Sequence, residues 1–253
     1  MVFDADLTAC ARIVERGDPE RFVACMSLPV AARAQLFPLF AFNVEVARAP
    51  WVTQEPMIAK MRLQWWIDAL EEIAGGGPVR RHEVVTPLAA RLSPDQARLL
   101  ITMVEARDWD TESDPFPDEA AFRAYLDATS GHVLWVGAQM MGAAPDSEPG
   151  LRRVALAIGL ANWMRAIPTL EEKGKRPLVD GRAEAVASLA REGQLALRAG
   201  RSLSRAARQV LVTGWAARDV LAAIVADPGL VARGAIPEPR RFAFHRAALT
   251  GRI

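Results

Sequence analysis

RFVACMSLPVAARAQLFPLFAFNVEVA, Arg21 to Ala47, decides the fold. Its apolar residues recur three and four positions apart, and period-two alternation is nearly absent. That spacing gathers apolar side chains on one face of a helix, so the stretch reads as helix on both sides of Leu28-Pro29. The same pattern runs outward in both directions. Helices are expected at about 4–16, 19–27, 30–48, 55–74, 82–91, 94–112, 118–143, 149–169, 182–199, 202–226 and 239–249.

The breaks between them carry their own chemistry. Gly75-Gly76-Gly77-Pro78 ends one helix. Ser93-Pro94-Asp95 starts the next, with Ser93 as N-cap and Pro94 at the first helical position. Asp114-Pro115-Phe116-Pro117-Asp118 reads as a loop. Ala144-Pro145-Asp146, Pro228-Gly229 and Pro237-Glu238-Pro239 interrupt the C-terminal half. There is no tandem repeat and no low-complexity linker. The expectation is an all-α protein, one helical bundle over residues 1–253, with a basic and less ordered tail at 238–253.

The bulk numbers fit that reading. A chain of 253 residues that is 51% hydrophobic and 24% charged is globular and long enough for a sizeable core. The net charge of +1 says little about partners, but its distribution says more. Acids dominate from Asp95 to Glu148. Bases dominate from Lys173 onward, ending in Arg198, Arg201, Arg205, Arg208, Arg240, Arg241, Arg246 and Arg252. Such a dipole lets the basic end meet an anionic membrane or an acidic partner; a solvated, Arg-rich surface is the plainer alternative. Nothing points to nucleic acid. Cys10 and Cys25 have no CxxC partner and suit a reduced compartment. Met1 to Arg12 shows no secretory pattern, and no apolar run reaches the roughly 18 residues of a spanning helix. The longest, His132 to Ala144 and Val220 to Ala226, have core-helix length, so a cytoplasmic location is expected, with any membrane contact peripheral at the inner face.

Two segments resemble the squalene/phytoene synthase family. In the first, Leu28-Pro29, Arg33, Leu36 and Ala41-Phe42 stand where that family has a Leu-Pro pair, an Arg and a Tyr-Ala-Phe-like stretch before an aspartate-rich motif. In the second, AIGLANWMRAIPTLEEKGKRPL (Ala157 to Leu178), Ala157, Leu160, Asn162 and Arg165 match the second motif. The resemblance covers about residues 19–180 and implies an isoprenoid-synthase-like bundle. It also implies paired Asp residues, four apart on two facing helices, that hold Mg²⁺ and through it a substrate diphosphate.

This sequence departs at those positions. The aspartates would fall at Ala47, Arg48 and Trp51, and at Ala166 and Leu170, and none of these is acidic. Arg48 would repel a cation, and Pro50 and Pro168 would distort both helices where ligands should project. Lewis-acid stabilisation is worth several kcal/mol, and each ~1.4 kcal/mol is about tenfold in rate. Within the same superfamily, Ala41-Phe42-Asn43-Val44-Glu45-Val46-Ala47 and Met61-Arg62-Leu63-Gln64-Trp65-Trp66 are similar to a non-enzymatic branch, the assembly factor 6 proteins of respiratory complex I.

A remnant pocket is expected from Arg33, Phe42, Asn43, Glu45, Arg62, Trp66, Asn162 and Arg165. In it Glu45 would pair with Arg33, Arg62 or Arg165, since a buried carboxylate needs a partner. Lys173, Lys175 and Arg176 sit where the family places basic groups near diphosphate and are candidates for an anion; an exposed basic loop is the alternative. Trp65, Trp66, Trp135 and Trp163 would fill, or still line, the family's apolar tunnel. Asp68 with Glu72 reads as a solvated helix face, and Asp108, Asp110, Glu112 and Asp114 as a solvated or partner-binding acidic cluster. His82, His132 and His245 lack metal-site spacing, Ser130-Gly131-His132 lacks the nucleophile-elbow frame, and Gly174-Lys175-Arg176 lacks the phosphate-loop glycines.

The expected function is a non-catalytic assembly or scaffold factor for NADH:quinone oxidoreductase, with complex I subunits as partners and no cofactor. The alternative is an active Mg²⁺-dependent head-to-head prenyl transferase. A third reading is an isoprenoid- or lipid-binding protein.

Overall fold

The computed structural model describes residues 4–53, 55–251 and 253, without the Arg241 side chain. Met1 to Phe3 of the N-terminal segment, and Arg252 and the Arg241 side chain of the basic run, lie outside the described residues. Among those described there is no strand. The chain folds as α1 (Ala5–Gly17), α2 (Pro19–Met26), α3 (Val30–Arg48), α4 (Pro56–Gly75), α5 (Val85–Ala89), α6 (Pro94–Ala106) and α7 (Glu119–Leu126). It continues through α8 (His132–Met140), α9 (Glu148–Glu172), α10 (Ala183–Ala196), α11 (Arg205–Leu211), α12 (Ala217–Ala226), α13 (Gly229–Ala232) and α14 (Arg241–Thr250).

Helix starts use side chains to satisfy orphan N–H groups. Asp4, Asp18, Asp118 and Ser204 cap α1, α2, α7 and α11. Ser93 does so for α6 in a full capping box: its hydroxyl accepts from Gln96 N–H, and the Gln96 side chain accepts from Ser93 N–H. α4 stops at Gly76, whose φ of 68° suits glycine and lets its N–H bond the Ile73 carbonyl.

Two helices form the centre. In α3 every residue from Leu36 to Phe42 is buried, and α9 buries residues around its whole circumference, including Leu151, Val154, Ile158, Leu160 and Trp163. A helix apolar all round must sit inside. α1, α5 and α8 pack on α3, and α10, α12 and α13 pack on α9. One apolar core runs from Cys10 to Ile253.

Several expected helices are shorter or broken, each for a local reason. At 82–91 only Val85–Ala89 is helical, because His82 Nδ1 accepts from Val84 N–H (3.1 Å) and Thr86 Oγ1 from His82 N–H (3.1 Å), which holds the chain in a turn. At 94–112 the last turn tightens into a 3-10 helix, Arg107–Thr111. At 118–143 a π turn, Asp127–Gly131, separates α7 from α8. At 202–226 a 3-10 turn, Val212–Gly214, breaks the run, and the helices on either side are bent by 54°. Pro50 falls in a 3-10 turn just after α3 ends at Arg48, whereas α9 runs through Pro168 to Glu172. The tail forms α14, with Ala243, Ala247 and Ile253 buried. Among the described residues no single helix is long and apolar enough to cross a membrane; that bent pair passes by length and composition alone.

Candidate functional site

A cavity of about 360 Å³ lies between α3 and α9. Asn43 and Ala47 of α3, with Trp51 in the 3-10 turn behind it, line one wall at four-residue intervals. Asn162, Ala166 and Leu170 of α9 line the other at the same interval. Residues four apart share a helical face, so both sets point inward. Ala47, Trp51, Ala166 and Leu170 are thus the corners at which the family resemblance would place carboxylates. Arg48, one position on, turns outward and pairs with Glu45 at 3.1 Å.

The third wall is polar. The π turn brings Thr129 and Ser130 to the cavity, and such insertions are frequent at functional sites. Gly159 of α9 makes room: a Cβ there would stand 3.1 Å from Ser130 Cβ. Beside the π turn lies a buried network. Tyr125 OH donates to Asp110 Oδ1 (3.0 Å), and Arg107 Nη1 donates to Asp110 Oδ2 (3.1 Å) and Tyr125 OH (3.0 Å). Asp110 is 4% exposed. Burial, opposed by Arg107 and reinforced by Asp110, pushes the Tyr125 hydroxyl well above its ordinary pKa, so it is a standing donor. Arg107 Nε is buried without a partner.

Magnesium needs several oxygen ligands. Among the described residues lining the cavity, Asp110 is the one carboxylate, and Tyr125 and Arg107 already hold it. No three His, Cys, Asp or Glu side chains among the described residues converge in a way that could hold a metal ion. The donor set of this cavity does not fit the ion.

The expected pocket residues separate. Asn43 and Asn162 line the cavity. Glu45, Arg62 and Trp66 line a smaller one of about 250 Å³ with Arg48, Trp65 and His82. Two residues along a helix is a 200° rotation, so Glu45 leaves the face of Asn43. Its expected partner is corrected accordingly: Arg48 pairs with it, while Arg165 grips Glu20 through two 2.8 Å bonds and Arg33 Nε donates to the Leu28 carbonyl at 2.7 Å. Phe42 is core, edge-on to Trp66 at 5.4 Å.

The basic trio separates too. Lys173 lines the cavity mouth, its Nζ 4.2 Å above the Trp51 ring. Lys175 is buried and donates to the Trp109 carbonyl (3.2 Å) and the Glu112 carbonyl; burial lowers its pKa, opposed by Asp110 and Glu112. Arg176 lines a different hollow with Pro177 and Pro228, which Lys175 also borders, so only Lys173 is parted from the other two. The acidic cluster disperses: Asp110 points inward, and Asp108 and Glu112 pair with Lys60. Glu72 pairs with Arg80 at 2.6 Å, and Asp68 accepts from Gln64. Of the tryptophans, Trp163 lines the cavity, its ring packed on Trp109, Phe116, Phe122 and Tyr125 and its Nε1 donating to the Pro177 carbonyl (2.9 Å). Trp135 is core. Arg107, Asp110 and Tyr125 escaped the sequence reading of the site; the lone Tyr of the chain was the one available signal.

Known proteins agree with this frame. A solved structure described as a dehydrosqualene synthase in complex with ligand superposes with a TM-score of 0.77 over 97% of this chain and 95% of that one, at 12% identity, which shows a shared fold. Human NADH dehydrogenase (ubiquinone) complex I, assembly factor 6 is 23% identical over 161 residues, 63% of this chain and 48% of that protein. Its Drosophila melanogaster homolog is 28% identical over 166 residues, again 63% of this chain and 50% of the relative. The chain therefore spans about half the length of the curated relatives it matches. Residues 14–236 match squalene/phytoene synthase as a family, and to that family this chain belongs.

Proposed function

We propose that this protein is a non-catalytic member of its family that serves as an assembly factor for respiratory complex I. One observation carries the reading. The four cavity corners that would need oxygen ligands hold Ala47, Trp51, Ala166 and Leu170, so the cavity has a family shape without the means to grip Mg²⁺ and a diphosphate. The relatives named as complex I assembly factors support the role, and the partners proposed are complex I subunits. No cofactor is required, and action at the inner face of the cytoplasmic membrane, where NADH:quinone oxidoreductase works, suits it. Deleting the gene and measuring NADH:quinone activity of isolated membranes tests the proposal. Reduced activity with unassembled complex I subunits is expected, restored by the wild-type gene. Normal activity and normal assembly would refute it.

The open cavity favours a companion reading, in which the protein holds an isoprenoid or other lipid while it acts. About 360 Å³ is within the range of small-ligand sites, and its walls are mostly apolar with a few polar groups. Native mass spectrometry of the purified chain should reveal a co-purifying apolar ligand that Ala166→Trp displaces; an empty protein under gentle ionisation would count against it.

A further inference from the structure

A second cavity of about 360 Å³ shares no lining residue with the first. Three arginines from separate elements reach it: Arg201 from the 3-10 turn Leu197–Ser202, Arg218 from the first turn of α12, and Arg246 from α14. Leu197 and Leu211 supply apolar wall, and no Asp or Glu lines it. Among the described residues none of the three makes an ion pair with Asp or Glu, whereas Arg107, Arg123, Arg152 and Arg165 all do. Arg246 Nη2 is buried with no hydrogen-bond partner. Arg218, an exposed residue, gives one N–H to a main-chain oxygen of Ile253 (2.7 Å), a carboxylate at this last residue of the sequence. Its pKa is drawn down, first by burial and then by the like charges of Arg246 and Arg201, with Asp219 opposing. Three guanidinium groups therefore share one cavity with a single main-chain carboxylate and no acidic side chain, and the surplus positive charge, with the buried unpartnered Nη2 of Arg246, is what a further anion would offset.

We propose that Arg201, Arg218 and Arg246 form a binding site for a phosphate ester. Three planar forks arriving from three elements match an anion with three free oxygens. A carboxylate, with two, is satisfied by a single fork. The apolar wall leaves space for the esterified group. Arg205 and Arg208 line an adjoining hollow that shares Thr250 and Gly251 with this cavity and extends the positive surface. The ester can be a soluble metabolite or the headgroup of an anionic phospholipid. The site stands independently of the assembly role.

The test has two arms on the purified full chain. Calorimetric titration with glycerol 3-phosphate detects a soluble ester. Flotation with phosphatidylcholine vesicles, with and without phosphatidic acid, detects a headgroup. Binding in the first arm assigns the free ester, and binding only to phosphatidic acid vesicles assigns the lipid; either supports the site. Arg201→Gln, Arg218→Gln and Arg246→Gln should each weaken binding roughly tenfold, as loss of a charged hydrogen bond does. Arg201 is exposed, so its variant keeps the fold, and Arg182→Gln, at a surface pair with Asp180 that does not line this cavity, should bind as wild type. Failure of both probes to bind would overturn the proposal. So would unchanged binding by the triple glutamine variant with its circular dichroism intact, or preference for a glutamate-rich peptide over both phosphate probes.

Discussion

Asp110 shows how one side chain can be costly and necessary together. Buried, it depends on Arg107 and Tyr125, and they depend on it. Asp110→Ala should cost about 3–5 kcal/mol, because the Arg107 charge stays behind unpaired. Tyr125→Phe removes a donor while leaving the ion pair and should cost about 1–2 kcal/mol. Urea unfolding of the two variants checks the order. The reverse order would mean that the hydroxyl, and not the ion pair, holds this wall.

The two thiols set an alkaline limit. Burial, first among the causes, pushes Cys10 and Cys25 from about 9 up to about 12. A raised acid pKa means that the folded state keeps a proton the unfolded chain has released. The stabilising effect is whole below pH 9 and fades as pH rises from 9 towards 12. Unfolding free energy should therefore fall over that window, and Cys10→Ala with Cys25→Ala should flatten the slope. An unchanged slope in the double variant would assign it elsewhere. Below pH 9 both thiols should resist alkylation until the protein unfolds.

At the scale of elements, α6 is the helix whose start rests most plainly on local chemistry. Ser93→Ala removes the hydroxyl that accepts from Gln96 N–H, while the N–H at position 93 can still donate to the Gln96 side chain, and should cost about 1 kcal/mol in thermal or urea unfolding, with Pro94 still in place. A variant of wild-type stability would show that tertiary packing alone sets this boundary. The cap was legible because its geometry is local. So were α3 and the cavity-facing positions of α3 and α9, since a four-residue interval fixes a face whatever surrounds it. The rest was not. Glu45 and Arg165 lie on the same helices as the site but at rotations that carry them to other partners. Arg107 and Asp110 sit on a 3-10 turn, Tyr125 just before a π turn, and neither turn leaves a periodic mark in the sequence. The break between α11 and α12 depends on long-range packing, with Gly214 pressed against Ile158 of α9.

Taken as a whole, the molecule keeps a family shell and changes what lines it. α3 and α9 still face each other, and the space between them is open. Where ligands for a divalent ion would project, there are two alanines, a leucine and an indole capped by Lys173. That indole places apolar surface and a fixed cation at the mouth together. Trp51→Ala should therefore widen the cavity and free the ammonium; the companion lipid reading predicts a changed set of co-purified ligands by mass spectrometry, and an identical set would contradict it. The proposed absence of catalysis has a more direct check. Purified protein is incubated with farnesyl or geranylgeranyl diphosphate, with and without Mg²⁺, and pyrophosphate release is followed. The account predicts no magnesium-dependent release above the protein-free control. Robust, magnesium-dependent turnover would contradict it.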